Sequence, residues 1–115
     1  MKSPDENDFL EAFGIEPVEV DSSLALCRYI KKSENSELEV DVSFSGVMGS
    51  FQVALKVATH EFAVVSSESV RSIEIFREAS EAGLRVVFDI RGSISEAKVI
   101  FEPDVFCRWW TLSNE

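Results

Sequence analysis

Apolar and polar residues alternate in four long stretches of the chain. Leu38, Val40, Val42 and Phe44 alternate with Glu39, Asp41 and Ser43. Phe51, Val53, Leu55 and Val57 alternate with Gln52, Ala54 and Lys56. Leu84, Val86, Phe88 and Ile90 alternate with Arg85, Val87 and Asp89, and Ala97, Val99 and Phe101 with Lys98 and Ile100. A period of two puts one set of side chains on each face of a strand, so each stretch predicts a half-buried β-strand. Less regular runs at residues 24–31, 61–65, 72–77 and 105–112 bring the total to about eight strands. Residues 67–82 also carry a spacing that a helix could use, through Val70, Ile73 and Phe76, but a strand at 72–77 is preferred. Turn-forming segments at 32–35, 45–49, 66–69, 79–83, 92–95 and 103–104 separate the strands. Even spacing with short links predicts an antiparallel meander rather than βαβ units.

The first 21 residues have a different period. Phe9, Leu10 and Phe13 form an apolar stripe at helical spacing, and Gly14 follows as a stop. Ser3 as N-cap, Pro4 at the first helical position and Glu6 three residues after the cap predict a helix over residues 4–13. A connector over 14–21 follows. The expected fold is α+β and mainly β. One N-terminal helix packs on a sheet of about eight antiparallel strands, a partly closed barrel or a sandwich. With 115 residues the chain is the size of one domain, residues 1–115, with a helix at 4–13 and a β-rich body at 22–112.

Charge narrows the choice of function. Lys plus Arg number 11 and Asp plus Glu 21, for a formal net charge of −10. Nucleic-acid and anionic-membrane binders depend on cationic surfaces, so neither partner is expected. Residues 1–21 hold seven acids against Lys2 alone, and Glu34, Glu37, Glu39 and Asp41 form a second acid-only stretch. Such clusters keep a protein soluble, or speed its association with a basic partner. Glu39 and Asp41 lie two apart on one strand and should share a solvated face. The opening residues Met1 to Asp8 are acidic where a secretory signal would be basic and then apolar. No apolar run approaches the roughly 18 residues that span a bilayer. A cytoplasmic location is expected.

The candidate chemistry is sparse. His60-Glu61 opens like a zinc-protease motif, but position 64 is Val64 and not a second histidine. Ser45-Gly46-Val47-Met48-Gly49-Ser50 lacks the lysine of a phosphate loop and reads as a hairpin connection. One histidine and two distant cysteines give no recognised zinc spacing. No metal, cofactor or catalytic residue is therefore expected. Cys27 and Cys107 lie in the first and last predicted strands and read as free thiols, though a closed sheet could make them neighbours. In the terminal strand Trp109 and Trp110 must point to opposite faces. One joins the core with Cys107. The other lies outside with Phe106, Arg108 and Leu112, covered by the N-terminal helix or serving as an interface anchor.

The segment Asp8-Phe9-Leu10-Glu11-Ala12-Phe13-Gly14-Ile15-Glu16-Pro17-Val18-Glu19-Val20-Asp21, the sheet-rich middle with its His60-Glu61 turn, and the ending Arg108-Trp109-Trp110-Thr111-Leu112 carry a resemblance. In these features the chain resembles small bacterial immunity proteins of polymorphic or contact-dependent growth-inhibition toxin systems. The resemblance covers about a third of the chain and implies a non-enzymatic cytosolic protein that binds and blocks one toxin domain. Combined with the acidity, the expectation is an inhibitor of a basic, nuclease-like toxin that occludes its active site. Glu16, Glu19, Asp21, Glu34, Glu37, Glu39 and Asp41 are the expected charge complements, and Trp109 or Trp110 the anchor. The alternatives are a small-ligand-binding β-barrel, a small enzyme using His60 or a carboxylate pair, and a homo-oligomer that pairs strand edges.

Overall fold

The structure is a computed structural model and describes residues 1–111. Helix α1 spans Glu6–Phe13. Nine strands follow among the described residues: β1 Glu19–Asp21, β2 Leu26–Lys32, β3 Leu38–Ser45, β4 Ser50–Val57, β5 His60–Ser67, β6 Val70–Arg77, β7 Ala82–Ile90, β8 Ser93–Glu102 and β9 Phe106–Thr111. The alternating stretches are β3, β4, β7 and β8, and the segment with mixed periodicity is the strand β6. The ninth strand is β1. It lies inside the expected connector because Glu19, Val20 and Asp21 pair with Arg28, Cys27 and Leu26. Leu112, expected at the end of the last strand, lies outside the described residues.

The helix starts later than Ser3 and Pro4 suggest. Asp5 is the N-cap: its Oδ1 accepts from the Asp8 N–H at 2.8 Å, and Asp8 Oδ2 accepts from the Asp5 N–H at 2.9 Å. This reciprocal pair is a capping box two residues downstream of the expected one. Lys2 is committed elsewhere. Its N–H donates to Arg71 O at 3.3 Å, and its carbonyl accepts from the Ile73 N–H at 2.7 Å. The chain before the helix thus lies along β6 and cannot coil. Gly14, at φ +67°, ends the helix as anticipated.

The strands form two antiparallel sheets of sequential neighbours, β1-β2-β3-β4-β5 and β6-β7-β8-β9. Neither closes into a barrel, which removes the enclosed cavity that the ligand-barrel alternative needed. The inner faces of both sheets contribute to one core. Tyr29, Val40, Val42, Phe51 and Val53 from the first sheet are buried together with Leu84, Val86, Phe88, Val99 and Phe101 from the second. Phe51 meets Phe88 edge-on at 6.3 Å between ring centroids. Each such side chain contributes roughly 1.5–3 kcal/mol through removal from water. Helix α1 is held at this core through Phe9, stacked on Tyr29 at 3.8 Å, and Phe13, tilted against Phe101 at 4.8 Å.

Strand β8 breaks its alternation once. Val99, Ile100 and Phe101 are all buried in succession. Ile100 is the residue buried out of turn, opposite Gly83, which has no side chain; beyond it Ala82 pairs with Glu102, so Phe101 is the extra residue of a bulge. The bulge turns the Phe101 ring onto Phe13, and Gly83 is the residue that lets the two backbones approach.

Cys27 and Cys107 belong to different sheets, and both are free. The closed sheet that would have made them neighbours does not exist. Burial raises both thiol pKa values, with the Glu6 carboxylate adding to the effect at Cys27, so both stay protonated at neutral pH.

Candidate partner-binding site

The nominated acidic residues do not form one patch. Glu16 lines a shallow cleft with Glu6, Asn7, Leu10 and Pro17 beside the helix. Glu19 is exposed, and its carboxylate lies 3.6 Å from Arg28. Asp21 is spent on its own turn. Its Oδ1 accepts from the Ser23 N–H at 3.0 Å and from the Ser23 hydroxyl at 2.6 Å, and these bonds lower its pKa. Glu37 is exposed and lies 3.6 Å from Lys32. Glu39 is half-buried, in register with Lys32 on one side and Lys56 on the other.

Asp41 departs most from expectation. It does not lie on a solvated face but is 9% exposed. Arg28 grips it through both oxygens, Nε to Oδ1 at 2.9 Å and Nη2 to Oδ2 at 2.7 Å. Lys56 Nζ adds a third bond at 2.9 Å. The three residues sit on adjacent strands of the first sheet, because Arg28 pairs with Ser43 and Asp41 with Ala54. Hydrogen bonds from Arg28, and then Lys56, hold the Asp41 carboxyl below the usual carboxylate range against the opposing effect of burial. Asp41 is thus a clamp across β2, β3 and β4 rather than a free charge.

A pH dependence follows from this clamp. A carboxyl whose folded pKa is lowered stabilises the fold above its unfolded value of about 3.9, and that stability is lost as pH falls through the folded value. Asp41→Asn is expected to cost about 2 kcal/mol at neutral pH, because it leaves two cations without their shared anion. The cost should begin to shrink below about pH 4, where the carboxyl protonates in the unfolded chain, and should vanish at lower pH, where it protonates in the fold as well. Urea denaturation of both proteins from pH 7 to pH 2.5 measures this, and a cost independent of pH would refute it.

The second sheet assembles a different site. Trp109 and Trp110 divide between faces as strand geometry requires. Trp109 packs inward, stacked on Phe88 at 4.7 Å. Trp110 lies on the outer face opposite Glu96. There it lines a groove of about 410 Å³ with Glu74, Phe76, Glu78, Arg85, Glu96 and Lys98. No residue of α1 lines this groove, so the helix does not cover Trp110: its own aromatic residues are taken up by Tyr29 and Phe101 inside. Lys98 stands over the Phe76 ring at 4.5 Å and reaches Glu78 at 3.3 Å and Glu81 at 3.6 Å. Arg85 pairs with Glu96.

Glu78 belongs to a second cleft as well. That cleft, of about 310 Å³, is lined by Glu34, Arg77, Glu81, Glu102 and Pro103. Tertiary bonds hold Glu34 at its rim. Its N–H donates to Pro103 O at 3.0 Å, and the next residue, Asn35, donates twice to the Asp104 carboxylate at 3.0 and 3.1 Å. Beneath them a buried bond joins the same segments: the Val105 N–H donates to Ser33 Oγ at 2.7 Å. Two nominated residues far apart in sequence, Glu34 and Trp110, thus line adjoining clefts that share Glu78. Together the clefts hold six carboxylates against the three cations Arg77, Arg85 and Lys98.

Sequence reading missed Glu74, Glu78, Glu81, Glu96 and Glu102. In the structure Glu74 lies with Phe76, and Glu96 with Lys98, along the groove beside Trp110. Their convergence needed the strand order. His60 is exposed and opens β5 opposite Val57. No helix among the described residues is long and apolar enough to cross a membrane.

No family model and no curated protein matches the chain. Among solved structures, the fold is similar to a chain of the contact-dependent growth inhibition toxin–immunity protein complex from Klebsiella pneumoniae 342. The TM-score is 0.87 at 23% identity, over 96% of each chain. The two chains therefore share a fold.

Proposed function

We propose that the protein is an immunity protein of a contact-dependent growth-inhibition system. In this reading it binds a cognate toxin domain in the cytoplasm and blocks it without catalysis. The observation that carries the reading is the end-to-end match to a chain of a toxin–immunity complex. The net charge of −10 supports a basic toxin as the partner, and a nuclease is the enzyme class whose need to grip phosphates makes it basic. The docking surface is the pair of clefts that share Glu78. Trp110 is the aromatic anchor there, and Glu34, Glu74, Glu78 and Glu81 are the charge complements. The toxin's cations compete for carboxylates now engaged by Arg77, Arg85 and Lys98, and a filled groove excludes the toxin's substrate.

The test is co-expression with the toxin domain encoded beside the gene. The chain should rescue growth and co-purify with that domain at equal stoichiometry, and high salt should release it. Growth arrest despite soluble chain, with no complex recovered at low salt, would overturn the reading.

A further inference from the structure

We infer that the outer face of the second sheet recognises one acidic side chain of its partner, and that Arg108 is the residue that takes it. The inference rests on the toxin reading and names the contact at the centre of the docking face. Strand register supplies the first observation. Arg85 pairs with Lys98, and Lys98 pairs with Arg108. Three cations therefore lie in one row across β7, β8 and β9, on strands about 4.8 Å apart. Like charges directly opposite each other destabilise a sheet. This sheet sets them opposite twice in succession. Such local conflicts collect at functional sites.

Two of the three cations are relieved within the chain. Arg85 pairs with Glu96, and Lys98 reaches Glu78 and Glu81. Arg108 is exposed, and among the described residues it makes no ion pair. Its guanidinium stands 5.5 Å from the centroid of the Phe106 ring. This cation–π contact fixes its position and uses none of its N–H donors.

Aromatic rings flank Arg108 along its own strand. Trp110 lies two residues away on one side, and Phe106, 53% exposed, two residues away on the other. Phe106 opposes Ile100, Ile100 opposes Gly83, and Gly83 opposes Phe76 on β6. Ile100 is 3% exposed yet does not belong to the core between the sheets, so its burial is on this outer face. A partner side chain placed on Arg108 is thus enclosed by Trp110, Phe106 and an apolar strip. With water excluded there, a bidentate guanidinium–carboxylate pair is stronger than on open surface. An arginine beside a tryptophan at the centre of a face is the composition of a binding hot spot.

The occupant is a carboxylate rather than a nucleic-acid phosphate. Glu74, Glu78, Glu81 and Glu96 lie around the cationic row, and the chain as a whole carries −10. A nucleic acid brings a charge with every nucleotide and is repelled by these groups. One carboxylate in an otherwise basic surface meets both signs at once. The partner's cations face the glutamates, and its acid faces Arg108. Opposed signs in a fixed pattern set the register of a complex and reject partners of the wrong pattern. The face therefore fits a basic protein with an exposed Asp or Glu inside its docking surface.

The experiment is dissociation of the complex with the toxin domain encoded beside the gene, followed by stopped flow against excess unlabelled chain. Arg108→Glu should raise the dissociation rate at least about 30-fold, because it sets an acid against the partner's acid. Arg108→Lys should raise it about tenfold, since a lysine cannot hold both carboxylate oxygens in one plane. The same Arg108→Glu change should keep or raise the thermal midpoint of the free chain, because it turns a like-charge pair with Lys98 into an opposite one. One Asp→Asn or Glu→Gln variant of the toxin should weaken binding to wild type and add nothing to the loss in Arg108→Ala. A dissociation rate that Arg108→Glu leaves unchanged would overturn the inference while the toxin reading stands. So would a lowered thermal midpoint, a toxin scan without a coupled acid, or a single-stranded RNA oligonucleotide that binds wild type and not Arg108→Glu. Absence of any complex with wild type would overturn both.

Discussion

Gly83→Ala is expected to destabilise the fold by about 3 kcal/mol or more, and to lower the thermal midpoint by at least about 10 °C. A methyl group built on Gly83 would lie 2.0 Å from Val99 O and 2.9 Å from Ile100 Cα. Both obstacles are backbone atoms of β8, so no side chain can rotate away. Relief requires the two central strands of the second sheet to separate where Phe101 bulges inward onto Phe13. Gly49→Ala is the matched control. Gly49 has a φ of +61° and nothing within 4 Å of an added methyl, so it should cost only the left-handed backbone penalty of about 1–2 kcal/mol. Thermal unfolding by circular dichroism separates the two. Equal costs would mean that the close approach at the bulge is not what Gly83 provides.

The second large effect follows from the proposed function and is on association with the toxin domain encoded beside the gene. Glu34→Lys, Glu78→Lys and Glu81→Lys together change the net charge from −10 to −4 and place the new cations where the two clefts adjoin. Association is expected to slow about 100-fold at low salt, and the deficit to shrink as salt screens the surface. The comparison is Glu11→Lys, Glu16→Lys and Glu19→Lys, an equal change in net charge around the helix and β1. If the clefts form the docking face, this second variant should slow association by less than about tenfold. Stopped-flow association of both variants with the toxin domain measures the difference. Equal slowing would show that overall charge steers the encounter and that the clefts are not the docking face. Asp41 is a poor choice for such a test. A lysine there would put three cations together across β2, β3 and β4, and the variant would report on folding rather than on binding.

The likeness to a chain of a toxin–immunity complex, at 23% identity, shows that this fold persists when fewer than a quarter of the residues are shared. The core is built from interchangeable apolar side chains on alternating positions, whereas the outer faces are free to change with the partner.

The sequence by itself determined where strands form and which way their side chains point. Alternation marked β3, β4, β7 and β8, and the same rule put Trp109 and Trp110 on opposite faces. It also placed the helix stop at Gly14, where a left-handed residue is needed. These are local properties, decided by backbone period and by the conformations that each residue type allows.

Strand order, sheet closure and charge partners are not local, and only the tertiary structure decided them. A period of two says that Asp41 leaves the core face but not that Arg28 and Lys56 arrive on the neighbouring strands to enclose it. It says that Glu78 lies near a strand end but not that Glu34 and Trp110 meet it from opposite ends of the chain. The late helix start has the same cause. Ser3 and Pro4 are good helix-opening residues, but Lys2 gains more by pairing with β6, seventy residues away, and only a folded sheet offers that edge.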